Sequence, residues 1–254
     1  MDLHLKGKRA LITGATRGIG RATAELLAQE GCHIAFCARS KEAVTEAVSA
    51  LQSHGVRAYG TAVDISNVAY YRAWLAEAVN DLGGLDIFVP NVSAGGAGGT
   101  GDEPWIANFE ADLMHTVRGC EALMPHLAKS ESPAIVMMGT IAAVETFVAP
   151  SSYGAIKAAL MTYAKQLGQA VAPHGVRINT VSPGPVYFEG GDWDRVKTEM
   201  PDFFKQMEAN CVLGRMASPV DVARAVAFLA SPMAAMITGT NLIVDGGFTK
   251  RVQF

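Results

Sequence analysis

Short, nearly continuous apolar runs alternate along this chain with longer stretches in which apolar side chains recur every three or four positions. Short continuous runs suit strands buried on both faces, and the longer spacing suits helices with one buried face. Strands are predicted at residues 9–13, 33–37, 57–63, 86–89, 134–138, 177–181 and 241–244. Helices are predicted at 17–30, 41–54, 67–82, 109–127, 153–171 and 219–229. Residues 184–213 carry no sustained period and read as an irregular insert. There is no internal repeat and no low-complexity linker. The alternation therefore predicts one α/β domain over residues 1–254, a doubly wound parallel sheet with helices on both faces. Ligands of such sheets bind beyond the carboxyl ends of the strands.

Composition narrows the function class. Half of the 254 residues are hydrophobic, 18% are charged and the net charge is −3. That balance favours neither nucleic acid nor an anionic membrane as partner. The opening Met-Asp-Leu-His-Leu-Lys-Gly-Lys-Arg leads straight into an apolar strand, and no apolar run approaches the roughly 18 residues of a membrane span. A cytoplasmic protein is expected. Cys32, Cys37, Cys120 and Cys211 are scattered without metal-ligand spacing and read as free thiols, so no metal site is expected.

The candidate chemistry begins after the first strand. Thr13-Gly14-Ala15-Thr16-Arg17-Gly18-Ile19-Gly20 opens a helix, and its glycines allow a tight turn and a close approach of backbone to pyrophosphate. A glycine-rich turn with no ligand is the alternative. The second strand ends Cys37-Ala38-Arg39-Ser40, without the acid that would bind a ribose 2′-hydroxyl. Arg39, with Arg17, instead suits a 2′-phosphate, which favours NADP(H) over NAD(H). Both arginines can also be solvated surface charges. Asp64, followed by Ile65 after the third strand, is placed to accept from an adenine amino group, or else is an acid at a helix start.

Tyr153 and Lys157 stand four apart in Ser-Tyr-Gly-Ala-Ile-Lys. On a helix that spacing puts them on one face. A cation beside a phenol favours the phenolate, which suits a tyrosine for proton transfer.

Together these segments resemble the short-chain dehydrogenase/reductase family over essentially the whole chain. The matching stretches are Thr13–Gly20, Asp64, Asn91, Tyr153 to Lys157, the run from Val176 to Gly184, and Thr238-Gly239 with Val244-Asp245-Gly246-Gly247. The resemblance implies a single Rossmann-type domain with a seven-stranded parallel sheet, a nicotinamide cofactor, and hydride exchange with a carbonyl or alcohol. Tyr153 would be the general acid/base, and Lys157 would hold the nicotinamide ribose. The family's serine, thirteen residues before the tyrosine, is Thr140 here, which keeps a hydroxyl. The family's asparagine on the long helix aligns with Asp112, as part of a proton relay, with Thr116 as the one-turn alternative. Asn91 would tie strands together beside the cofactor. Pro183, Gly184 and Val186 would meet the carboxamide, while Phe188 stands where the family often has a cofactor-contacting threonine.

Three stretches are expected to line the substrate pocket: 95–105, 141–152 and 187–204. Within them Glu145, Phe188 and Trp193 are the chosen candidates, and residues of about 185–213 would form a lid. His115 and His126 are assigned structural roles. A homotetramer or homodimer is implied by the resemblance. The leading reading is an NADP(H)-dependent oxidoreductase acting on a small-molecule secondary alcohol or ketone. The alternatives are an NAD-dependent alcohol or polyol dehydrogenase and a catalytically quiet NADP(H)-binding sensor.

Overall fold

In the computed structural model, which describes residues 2–96, 101–146 and 150–252, strand β1 (Arg9–Thr13) lies inside a seven-stranded sheet. It pairs in parallel with β2 (His33–Ala38) on one side and β4 (Ile87–Pro90) on the other. Beyond these follow β3 (Ala58–Ala62) at one edge, and β5 (Ala134–Met138), β6 (Arg177–Pro183) and β7 (Asn241–Val244) toward the other. The order β3-β2-β1-β4-β5-β6-β7 is parallel throughout. After β3 the chain crosses back to start β4 beside β1, so connections leave β1 and β4 in opposite directions and open a crevice at their carboxyl ends.

Both faces are covered because alternate side chains of each strand point to opposite sides. Ile12, Ile34 and Phe36 pack against α1 (Gly18–Gln29), α2 (Lys41–Gln52) and α9 (Pro219–Ala230). Leu11, Phe88, Met137 and Ile178 pack against α3 (Val68–Leu82), α5 (His115–Leu127) and α6 (Ser152–Val171). Ser40, Asn67, Ser151 and Ser218 cap the helices they precede through side-chain oxygens. No side chain caps α1, and its first turn holds no acid. The four cysteines are buried and unpaired. Burial pushes the Cys37 and Cys120 thiols up to about 12.

Three expectations are corrected. The helix predicted at 109–127 begins earlier, as α4 (Asp102–Asn108), passes through a π-helical turn (Phe109–Met114) and only then becomes α5. Asp102 and Glu103 in the first turn of α4 favour a helix start that apolar spacing does not reveal. Of the predicted loop 95–105, residues 97–100 lie outside the described residues, as do 147–149 of the loop 141–152. The insert at 184–213 is not irregular but carries α7 (Asp192–Glu199) and α8 (Pro201–Ala209), each too short for the period to show. Strand β6 runs on to Pro183, because Gly184 N–H still donates to Val244 O.

Candidate active site

The carboxyl ends of β1, β4, β5 and β6 bring the predicted site together. Asn91, just past β4, donates its side-chain amide to Thr13 O (3.1 Å) and Gly14 O (2.9 Å). Thr13 Oγ1 accepts from the N–H groups of Asn91 (2.9 Å) and Val92 (3.3 Å). Asn91 therefore welds the start of the glycine turn to the β4 loop. Gly14 (φ 74°) and Gly18 (φ 56°) adopt left-handed conformations that other residues rarely reach. A methyl at Gly20 would collide with Gly14 O, so α1 can approach β1 only through glycine. With no side-chain cap and no acid in its first turn, α1 leaves its N-terminal N–H groups open to an anion.

Thr16 and Ile19 are half-buried in this turn, and Ile19 packs against the α1–α9 core. Arg17 and Arg39 are exposed. Arg17 reaches across to Gly190 O (3.3 Å). Asp64 is exposed at the end of β3 and accepts from Ser66 N–H (3.0 Å). That hydrogen bond, with the charge of Arg39 as a smaller cause, holds its carboxyl below the ordinary value. Asn67, not Asp64, caps α3. Ile65 packs into the α3 side of the core.

The catalytic candidates sit at the mouth of β5. Lys157, buried on α6, donates to Met138 O (2.7 Å) and pairs with Asp112 Oδ1 (3.0 Å). Its Nζ lies 5.9 Å from the centre of the Tyr153 ring. Among the described residues the Tyr153 hydroxyl has no hydrogen-bond partner, and Gly96 passes beside its ring. Thr140 is buried, and its Oγ1 accepts from Ala142 N–H (3.2 Å), which leaves its proton to donate. Asp112 is fully buried in the π-helical turn, and Oδ2 accepts from Ala94 N–H (3.1 Å) and Asn108 Nδ2 (2.9 Å). Burial alone would raise its pKa. The charge of Lys157 and the hydrogen bonds from Ser93 and Asn108 outweigh that and hold it below the ordinary carboxylate value.

Sequence reasoning missed Asn108. It also reduced His115 to a generic structural role, although the ring is buried with Nε2 3.4 Å from Thr13 Oγ1. Thr116, the one-turn alternative to Asp112, is buried, has no partner for its hydroxyl among the described residues and does not pair with Lys157 as Asp112 does. Pro183 and Gly184 are wedged against the turn at Asp245, where a methyl on Gly184 would come within 2.7 Å of Asp245 Cβ. Val186 bridges to Ala217 through the neighbouring Pro185 O and Tyr187 N–H, so its own peptide groups take no part in that bridge.

The substrate candidates fare differently. Phe188 lies over the glycine turn, so close that a methyl on Gly18 would come within 2.7 Å of its ring. Trp193 stacks on Phe203 (6.2 Å between ring centres) and meets Phe204 edge-on. Glu145 accepts from Lys250 N–H (3.0 Å) and so ties its loop to the C-terminal segment. Among the described residues no cluster of His, Cys, Asp or Glu could hold a metal, and no helix is long and apolar enough to cross a membrane.

A family model described as enoyl-(acyl carrier protein) reductase matches residues 14–249. The isoepoxydon dehydrogenase of Aspergillus clavatus is 34% identical over 98% of each chain. The dehydrogenase/reductase SDR family member 4 of Sus scrofa is 31% identical over 98% of this chain and 89% of its own. The L-sorbose reductase of Gluconobacter frateurii, solved with NADPH and L-sorbose, superposes with a TM-score of 0.90 at 32% identity, over 99% of this chain and 100% of that one. From the glycine turn to the Tyr153–Lys157 pair, then, the chain belongs to the short-chain dehydrogenase/reductase family and is an oxidoreductase that works on an alcohol or ketone with a nicotinamide cofactor.

Proposed function

We propose that the protein is an NADP(H)-dependent enzyme interconverting a secondary alcohol and a ketone, with Tyr153 as general acid/base. The observation that carries this reading is the buried Lys157 ammonium, fixed by Met138 O and Asp112 one helical turn from Tyr153. When bound, the nicotinamide supplies or takes the hydride. Tyr153 gives its proton to the substrate oxygen in reduction and takes it back in oxidation. Lys157 stabilises the negative charge that develops on the phenol oxygen as the proton leaves. Two of its three N–H groups face Met138 and Asp112, which leaves one for the nicotinamide ribose. Thr140 donates its hydroxyl to the same substrate oxygen.

The α1 N-terminus would take the pyrophosphate, and the N–H and C=O of Val186 the carboxamide. Arg39, exposed at the end of β2 where an acid is absent, would take a 2′-phosphate. The NADPH held by the L-sorbose reductase supports that preference. The aromatic packing of Trp193, Phe203 and Phe204 on α7 and α8 suits a lid over the substrate, with Phe188 at the cofactor boundary.

The test is a titration by tryptophan fluorescence of NADPH against NADH, on wild type and Arg39→Asp. Tighter NADPH binding that the mutation abolishes is expected; equal affinities unaffected by the mutation would remove the 2′-phosphate assignment. In parallel, Tyr153→Phe is expected to bind cofactor normally and to lose turnover across a panel of ketones. Turnover equal to wild type would overturn the role of Tyr153.

A further inference from the structure

The hub of the catalytic centre is a residue outside the family pattern. Asn108 ends α4 and enters the π-helical turn four residues before Asp112, and its side chain is buried (4% exposed). Its Nδ2 donates to Asp112 Oδ2 (2.9 Å) and to Gly95 O (3.1 Å), while Oδ1 accepts from Ser152 Oγ (2.7 Å). The amide can point only this way, because a carbonyl and a carboxylate accept and cannot donate. Both N–H groups are thus used. The carboxamide, through its N–H groups and its oxygen, joins three segments that the active site needs in register: the loop after β4 that passes Tyr153, the carboxylate paired with Lys157, and the residue immediately before Tyr153. Four donors converge on the carboxylate of Asp112, namely Ser93, Ala94 N–H, Asn108 Nδ2 and Lys157 Nζ.

We propose that Asn108 is the positioning residue of this enzyme: its carboxamide orients Asp112 onto Lys157 and sets the entry of α6, so that phenol and ammonium stand correctly at the mouth of β5. The proposal rests on the oxidoreductase reading for its catalytic consequence, but the arrangement it describes can be read without turnover.

The discriminating variant is Asn108→Asp, which keeps the shape and the acceptor for Ser152 but replaces the donor by a second carboxylate against Asp112. Two carboxylates at that distance share a proton when pH falls, and the shared proton restores the lost donor. The ionisable groups around the pair are Lys157 and Tyr153 on α6, His115 farther along the same segment with Arg118 acting on it, and Asp192 beyond Gly95 on α7.

The probe reaction is reduction of 2,3-butanedione by NADPH, an activated carbonyl that asks little of the pocket. Asn108→Ala is expected to lower kcat about 10–100-fold at every pH, the loss typical when a supporting hydrogen bond behind a reactive group is removed, with little change in NADPH affinity. Asn108→Asp is expected to fall as far at neutral pH and to recover toward wild type as pH is lowered. A loss in Asn108→Asp that is the same at all pH values, or kcat unchanged in Asn108→Ala, would overturn the proposal.

If wild type does not reduce the diketone, the probe and the carbonyl reading are at fault, and Asn108 is read by NMR. The Lys157 ammonium resonance, identified by its loss in Lys157→Met, is expected to exchange slowly in wild type and fast in Asn108→Ala. In Asn108→Asp it should slow again on acidification. An ammonium signal indifferent to both variants would overturn the positioning role.

Discussion

Thr140 and Asp112 stand where the family more often has serine and asparagine, and their surroundings predict opposite tolerances. Thr140 needs only its hydroxyl, since Oγ1 accepts from Ala142 N–H and the proton remains to donate. Thr140→Ser is therefore expected to keep kcat, and Thr140→Val to lose about 100-fold or more, as when one donor to a developing oxyanion is removed. Steady-state kinetics on one ketone separate the two outcomes. Asp112 behaves differently because four donors converge on it. An asparagine there offers one acceptor oxygen and turns its NH₂ against an N–H or an ammonium. Restoring the family's residue by Asp112→Asn is expected to destabilise the fold by about 3 kcal/mol, the size of effect seen when one member of a buried charged pair is removed, and to lower kcat with it. Denaturant titration with Tyr153→Phe as reference gives the stability change; an Asp112→Asn variant as stable as wild type would show that the convergence of donors matters little.

Among the elements, α9 holds α1, and with it the glycine turn, in place. Arg177 at the start of β6 is buried and donates to the carbonyls of Leu229 (2.7 Å), Ala230 (3.3 Å) and Ser231 (3.0 Å) at the end of α9. Burial holds the Arg177 pKa below its ordinary value. Ser231 O also accepts from Ala234 N–H, but the Leu229 and Ala230 carbonyls lie past the last intrahelical donors, so the guanidinium closes the helix end onto the sheet. Arg177→Met keeps the apolar stem and removes the donors. It is expected to cost about 2–4 kcal/mol, because buried acceptors are left unpaired, and to weaken cofactor binding less than it weakens stability. A midpoint of denaturation within error of wild type would show that solvent replaces Arg177 there.

The whole molecule should weaken in acid before its carboxylates titrate. His115 is buried against Thr13, and burial, with the charge of Lys157, pushes its pKa down to about 4 from an ordinary 6.5. Between those values the unfolded chain binds a proton that the folded chain refuses. Stability is therefore complete above about pH 6.5 and is lost as pH falls toward 4, by about 3 kcal/mol for a shift of this size. His33 is also lowered, by burial and by Arg57 and Arg9, but it is partly exposed and contributes less. Asp112, whose pKa is depressed, adds its own loss only at still lower pH. Thermal melts across this range should show His115→Asn losing less stability than wild type on acidification. Parallel curves for the two proteins would place the acid sensitivity elsewhere.

The sequence alone determined the α/β alternation, the glycine turn, the missing acid after β2 and the Tyr153–Lys157 pair, because each rests on local spacing along a strand, a turn or a helix face. Thr140 and Asp112 were also legible there, through distance from neighbouring motifs. Only the tertiary structure decided what Asp112 does. The π-helical turn shifts the register of its helix, and that shift turns the carboxylate onto Lys157 from another helix, 45 positions away in sequence. Asn108 was invisible for the same reason: its partners Gly95, Asp112 and Ser152 come from three segments, and no periodicity links them. Likewise α7 and α8 were hidden, because helices of eight and nine residues leave too few turns for a period, and they are held by aromatic packing that exists only once the insert folds against the sheet.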